Sequence, residues 1–277
     1  VTAAAEETRL ELGPADADTL EQAGAELIAL KDVVWAIRQD RLRTAAAVES
    51  LAGRDASPSM LSGYLLVQQA LSVIDRLEVR GRDSAGLHLF VWGHGLDTAD
   101  PSVRALMRQR DLDPLFTSGA VRESGSCLSF VYKAAAEIGE LGDNTRVIRS
   151  AIDADDLLRA ALAAPTARVA VLGHTRWASV GIISEPNAHP LNHEEESGRN
   201  PDAPYVVAAL NGDVDNHADL IVEHGLRIAG SITTDAKVIP TLVSRRTMET
   251  GDLVEGFRRT VGTFEGSVAI AAASAEH

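Results

Sequence analysis

The sequence predicts an α+β protein built on antiparallel sheet, and three observations lead there. Two long helical patterns open the chain, and from Arg80 onward short apolar runs rich in Val and Ala appear between turn residues. The pieces between about 173 and 211 are joined by loop, whereas a parallel α/β sheet needs a crossover helix between successive strands.

Residues 17–52 read as one amphipathic helix. Leu20, Ala23, Leu27, Leu30, Val34 and Ile37 recur at alternating steps of three and four, and after a polar break at Arg41 and Thr44 the pattern resumes at Val48 and Leu51. Such a stripe needs a cover. The GRDASPS run at 53–59 stops this helix and caps a second one at 60–77, whose apolar side is read as Leu61, Leu65, Ala70, Val73 and Leu77. The two helices are expected to pair as an antiparallel hairpin, a scaffold or oligomer contact without chemistry. Residues 1–75 are therefore set apart as a helical insertion from a domain at 76–277, with a boundary near residue 79. Strands are expected at Ser84–Trp92, Cys127–Ala134, Arg168–Gly173, Tyr205–Asn211 and Ser267–Ala273. Helices are expected at 101–110, 154–164 with Asp153 as N-cap, 217–224, 235–248 and 252–262.

Composition narrows the function. Against 26 Lys and Arg stand 40 Asp and Glu, a formal charge of −14, which repels nucleic acid and anionic membrane. An apolar share of 45% suffices for a packed core. The lone cysteine, Cys127, excludes a disulfide framework and a multi-cysteine zinc site, and fits a cytoplasmic location. No apolar run reaches the ~18 residues that span a bilayer, and the acidic opening segment lacks a signal core.

The densest chemistry lies between Gly173 and Gly212, in the strings GHTRWASVG, NAHP and ALNGD. Arg176 at the end of an apolar strand can grip a carboxylate through two parallel hydrogen bonds, though a structural ion pair explains it equally well. Asn211-Gly212 suits a type I′ hairpin turn, yet an Asn amide and the next backbone N–H can also meet an oxyanion. Five of the eight histidines, His174, His189, His193, His217 and His224, cluster in this half. Pro190 after His189 argues against a helical ligand pair with His193, so hydrogen-bonding histidines are preferred to a metal site.

Taken together, LEVRGRDSAG (77–86), GHTRWASVG, SEPNAHP (184–190), ALNGDVDNH (209–217), SITTDAKVI (231–239) and TFEGSVAI (263–270) resemble the class II glutamine amidotransferase domain, an N-terminal-nucleophile hydrolase. Trp177 and His189 are most similar to the branch represented by the glutaminase domain of glutamine–fructose-6-phosphate aminotransferases. The resemblance covers about residues 70–277 and implies a four-layer αββα sandwich of two antiparallel sheets. It makes Arg176 the clamp for the glutamine α-carboxylate and Asp235 the anchor for its α-ammonium. Asn211 and the Gly212 amide become the oxyanion hole, Trp177 a neighbour of the glutamine pocket, and Arg80, Thr175 and His189 supporting residues.

The implied reaction is hydrolysis of L-glutamine to glutamate and ammonia, feeding an attached or separate sugar-phosphate isomerase domain that makes glucosamine 6-phosphate. No cofactor or metal is implied, and homo-oligomerisation is left open. The family's nucleophile is an N-terminal cysteine whose own α-amine is the general base. This chain begins with Val1, and Cys127 is read as a packed interior side chain. The expectation is a domain incomplete at both ends, with an inactive glutamine-sensing or structural domain as the alternative. The resemblance departs at Val180, where the family usually carries His, and in the length of the helical stretch before Arg80.

Overall fold

A computed structural model describes residues 17–135, 140–196, 198 and 200–276. Residues 1–16 of the expected helical insertion lie outside the described residues. The chain divides into two compact units, Val1–Ser50 and Leu51–His277, so the division falls well before residue 79.

Helix α1 (Ala17–Trp35) of the first unit runs through a π-helical turn (Ala36–Arg41) into α2 (Leu42–Ala52), whose last two residues, Leu51 and Ala52, belong to the second unit. The π turn coincides with the polar break at Arg41. One extra residue per turn rephases the helix there, so the apolar stripe does not continue on one face. Val48 and Leu51 are buried, whereas Leu20, Leu30 and Ile37 are exposed.

In the second unit, α3 (Pro58–Leu77) starts where Ser57 accepts the Met60 N–H at 3.3 Å and Pro58 occupies the first turn. It packs on strand β4 (Arg168–Arg176), which places it in this unit rather than in a separate insertion. Its buried face is Gly63, Tyr64, Val67, Leu71 and Ile74. The face read from the sequence is the opposite one, for Leu61, Leu65, Val73 and Leu77 are exposed. Both stripes have helical spacing, and Gly63 decides between them, because a Cβ there would lie 3.0 Å from Leu162 and 3.3 Å from Val169.

All strand pairs are antiparallel. Strand β1 (Ser84–Trp92) lies between β3 (Cys127–Ala134) and β4, with β2 (Val121–Ser124) outside β3. The second sheet runs β5 (Leu191–Asn192), β6 (Val206–Val214), β7 (Gly266–Ser274). Helix α4 (Pro101–Asp111) precedes β2, and α5 (Asp143–Asp153) and α6 (Asp156–Ala163) follow β3. The cap of α6 is Asp155, not Asp153: its carboxylate accepts the Leu158 N–H at 2.9 Å, and the stretch expected as one helix is preceded by a separate one. Helices α7 (His217–Glu223), α8 (Val238–Thr250) and α9 (Leu253–Val261) complete the fold.

The described helices and sheets stack in four layers. Phe90, Val131, Tyr205 and Val207 pack between the sheets, and Trp92 donates to the Ala275 carbonyl at 2.8 Å across the gap. Val206, Ala208 and Leu210 on the other face of β6 meet Ile239, Leu242 and Val243 of α8. With α3 and α5 on the first sheet and α8 on the second, the order is helix, sheet, sheet, helix. The αββα sandwich implied by the resemblance is the observed arrangement.

Candidate active site

The end of β4 supplies Thr175 and Arg176, the turn before β1 supplies Arg80, β6 supplies Asn211 and Gly212, and the short turn Asp235–Lys237 supplies Asp235. All of these, with Trp177 and His189, line one cavity of about 280 Å³. Every site residue expected from the sequence is therefore brought together. The sequence did not single out Ser179, Leu210, Asp213 and Thr234, which line it too. Asp213 and Thr234 stand directly beside motif residues, and that adjacency was the signal available.

Asn211-Gly212 is not a hairpin turn. Both residues lie within β6, opposite Ala269 and Val268 of β7. Both residues are exposed and line the cavity. Gly212 has φ +125°, and a Cβ there would stand 1.9 Å from the Ser267 carbonyl oxygen, so no other residue fits.

Two anchors bracket this pair. The Leu210 N–H donates to His189 Nδ1 at 3.4 Å, and the Val214 N–H donates to Asp235 Oδ2 at 2.7 Å. Since Nδ1 accepts, the neutral ring carries its hydrogen on Nε2, which faces Thr234 Oγ1 at 3.4 Å. Thr234 in turn donates to Asp235 Oδ1 at 3.3 Å. A continuous set of contacts thus runs from one side of Asn211-Gly212 to the other.

Arg176 is buried and makes no ion pair with a described residue. Its guanidinium donates to the carbonyls of Val180 and Ile182, the latter at 3.3 Å. Burial lowers its pKa, while the charges of Asp235 and Asp83 oppose that shift. The cavity thus sets the Arg176 cation and the Asp235 anion within electrostatic reach on different elements, with Arg80 and Asp213 also in its lining. The loop after Arg176 is pinned at three points: Ala178 N–H to Asp83 at 2.8 Å, Ser179 Oγ to Asp213 at 2.5 Å, and Ile182 N–H to Thr233 at 3.1 Å. Trp177, 75% exposed, stands at the mouth of the cavity.

Both histidines of the cavity are held neutral. Desolvation takes His174 down to about 4, helped by the neighbouring Arg176 charge, and burial takes His189 well below the usual histidine range. Their rings lie 4.7 Å apart. Among the described residues no three His, Cys, Asp or Glu side chains gather as a metal-ion cluster. Cys127 is buried at the start of β3, outside the cavity, and burial pushes its thiol up to about 11.

Over 225 residues, 81% of its length, the chain is 28% identical to the glutamine–fructose-6-phosphate aminotransferase (isomerizing) of Bordetella pertussis. It is homologous to the glutamine–fructose-6-phosphate aminotransferases. The aminotransferase of Symbiobacterium thermophilum is 40% identical over 103 residues, 36% of this chain, and that of Chlamydia pneumoniae 37% over 116 residues, 41% of this chain. The chain spans 26% of the Bordetella aminotransferase, 15% of the Symbiobacterium one and 17% of the Chlamydia one. No protein-family model matches it. Among solved structures, the glutamine phosphoribosylpyrophosphate amidotransferase of B. subtilis aligns over 69% of this chain and 35% of its own, at 16% identity and a TM-score of 0.36. Among the described residues no helix is long and apolar enough to cross a membrane.

Proposed function

We propose that residues 76–277 form a glutaminase domain that hydrolyses L-glutamine to glutamate and ammonia in the cytoplasm. The observation that carries the reading is the single cavity in which Arg176, Asp235, Asn211 and Gly212 meet. In this reading Arg176 binds the α-carboxylate and Asp235 the α-ammonium, the charge pattern that a zwitterionic amino acid demands. The side-chain amide then extends toward Asn211-Gly212.

In the mechanism that the resemblance implies, the thiolate of an amino-terminal cysteine, a residue other than Cys127, attacks the amide carbon, and its α-amine takes and returns the proton. The carbonyl oxygen becomes an oxyanion that accepts from the Asn211 amide and the Gly212 N–H. Collapse of the adduct expels ammonia and leaves a thioester, which water hydrolyses to glutamate. Cys127 does not serve as this nucleophile, being buried, high in pKa and away from the cavity. The acceptor proposed for the ammonia is a sugar-phosphate isomerase domain making glucosamine 6-phosphate, on the strength of the relatives' names. A glutamine-sensing domain without turnover is the second reading, and the same cavity supports it, since binding needs only Arg176 and Asp235.

Calorimetry tests the shared part. L-Glutamine and L-glutamate should bind, and 4-aminobutanamide, which lacks the α-carboxylate, should bind at least tenfold more weakly. Equal affinities would remove Arg176 from its role. Ammonia release by the protein bearing the amino-terminal cysteine then separates enzyme from sensor.

A further inference from the structure

Outside the cavity, two buried polar side chains tie the first turn of α5 to the turn that carries Arg80. Glu78 is 1% and Asn144 2% exposed, and neither lines the cavity. One oxygen of the Glu78 carboxylate accepts the Gly142 N–H; the other accepts the Thr145 N–H at 3.0 Å and the Thr145 hydroxyl at 2.9 Å. The N–H donors belong to the opening of α5, where backbone groups lack partners within the helix and favour a negative charge. In the other direction, the Asn144 amide donates to the Arg82 carbonyl at 2.7 Å. One helical turn thus grips the 78–83 segment at Glu78 and again at Arg82.

The same segment meets the end of β4. A Cβ at Gly81 would lie 3.1 Å from the Thr175 carbonyl, so the turn packs directly on the backbone that leads into Arg176. The Asp83 N–H donates to the Arg176 carbonyl at 3.2 Å, and the Asp83 carboxylate accepts the Ala178 N–H at 2.8 Å, one contact on each side of Trp177. Asp83 also lies within electrostatic reach of the Arg176 guanidinium. Contacts therefore run without a break from α5, through the turn, to the backbone that carries Arg176 into the cavity.

We infer that Glu78 and Asn144 are positioning residues for Arg176: the first turn of α5 is a strut that fixes, through the 78–83 turn, the place of the guanidinium that receives the substrate α-carboxylate. This rests on the glutaminase-domain reading of the cavity.

Calorimetry on the full chain with two ligands tests the strut, because L-glutamine engages Arg176 and 4-aminobutanamide, without an α-carboxylate, does not. Asn144→Ala should weaken L-glutamine about tenfold and leave 4-aminobutanamide within about twofold. Thr145→Val removes the hydroxyl contact to Glu78, keeps the N–H contact, and should weaken L-glutamine about threefold; it carries the test if Asn144→Ala does not fold. In an Arg176→Ala chain, Asn144→Ala should have no further effect on L-glutamine, since both changes act on one contact. Arg146→Ala, on the exposed side of the same helix, should leave both affinities unchanged. A role confined to stability would lower the melting temperature of Asn144→Ala and Thr145→Val and leave both affinities as they were, and a general loosening of the cavity would weaken both ligands alike. Either result, with L-glutamine still bound by the unsubstituted chain, would overturn the strut alone. An unsubstituted chain that does not bind L-glutamine would overturn the reading of the cavity and the strut with it.

Discussion

Arg176 is already engaged by the Val180 and Ile182 carbonyls, and those contacts orient the planar fork before any ligand arrives. A lysine at this position keeps the charge and loses the fork, so Arg176→Lys should weaken L-glutamine binding about 10–100-fold, read by calorimetry. In the turning-over protein the loss should fall on KM and leave kcat within a few-fold, because the α-carboxylate is held equally in ground and transition states. Cys127 gives the opposite expectation. Its thiol is buried beside Trp92 and Ser124 in the sheet register, so Cys127→Ser exchanges one packed atom for a hydroxyl and should cost ~1–3 kcal/mol of stability. Glutaminase turnover should stay within a few-fold. A hundredfold loss of turnover with the melting profile preserved would return Cys127 to the chemistry.

Strand β6 is the element on which the proposed reaction depends, held by His189 at Leu210 and by Asp235 at Val214, on either side of the Asn211-Gly212 pair. Contacts of the Asn211 amide that strengthen only as the oxyanion develops act on kcat, so Asn211→Ala should lower kcat ~10²–10³-fold with little change in KM. Asn211→Asp should be at least as harmful, since it sets a carboxylate against the oxyanion; steady-state ammonia release measures both. The strings that carry this site were legible because side-chain chemistry selects their residue types. The anchors were not, because backbone N–H donors such as those of Leu210 and Val214 leave no mark on residue type. The same contrast holds for the elements. Strands β1 and β3, whose apolar runs are long and bounded by turn residues, have the bounds expected from the sequence. Strand β5 has two residues and β2 four, too short for any periodicity. The buried face of α3 escaped because both its sides are apolar, and close approach at Gly63 is a tertiary fact.

Across the whole sandwich, burial lowers the pKa of several basic groups, and this makes stability depend on pH over a wide range. His88 of β1 is fully buried beside Phe90 and Phe116, and among the described residues neither ring nitrogen has a hydrogen-bond partner. Desolvation, with the Lys133 and Arg122 charges, drives it down to about 3. His174 falls to about 4 and His189 well below the ordinary value. Lys133, also buried and without a partner for its Nζ among the described residues, is lowered by burial to about 7, and Lys237 to about 8. For each histidine the unfolded chain binds a proton below about 6.5 while the folded one does not. Stability is therefore present above that pH and lost as pH falls toward the folded value, at about 1.4 kcal/mol per pH unit per histidine. For Lys133 the folded amine is neutral between about 7 and 10.5 while the unfolded one is charged, so stability rises with pH through that window. Thermal unfolding should accordingly give a melting temperature that drops from pH 6.5 to pH 4.5 and climbs from pH 7 to pH 9. His88→Leu should flatten the acid limb, and Lys133→Met should raise the melting temperature at pH 7 and flatten the alkaline limb. An acid limb unchanged by His88→Leu would mean that this histidine is charged or solvated in the folded protein, and that the space between the sheets admits water.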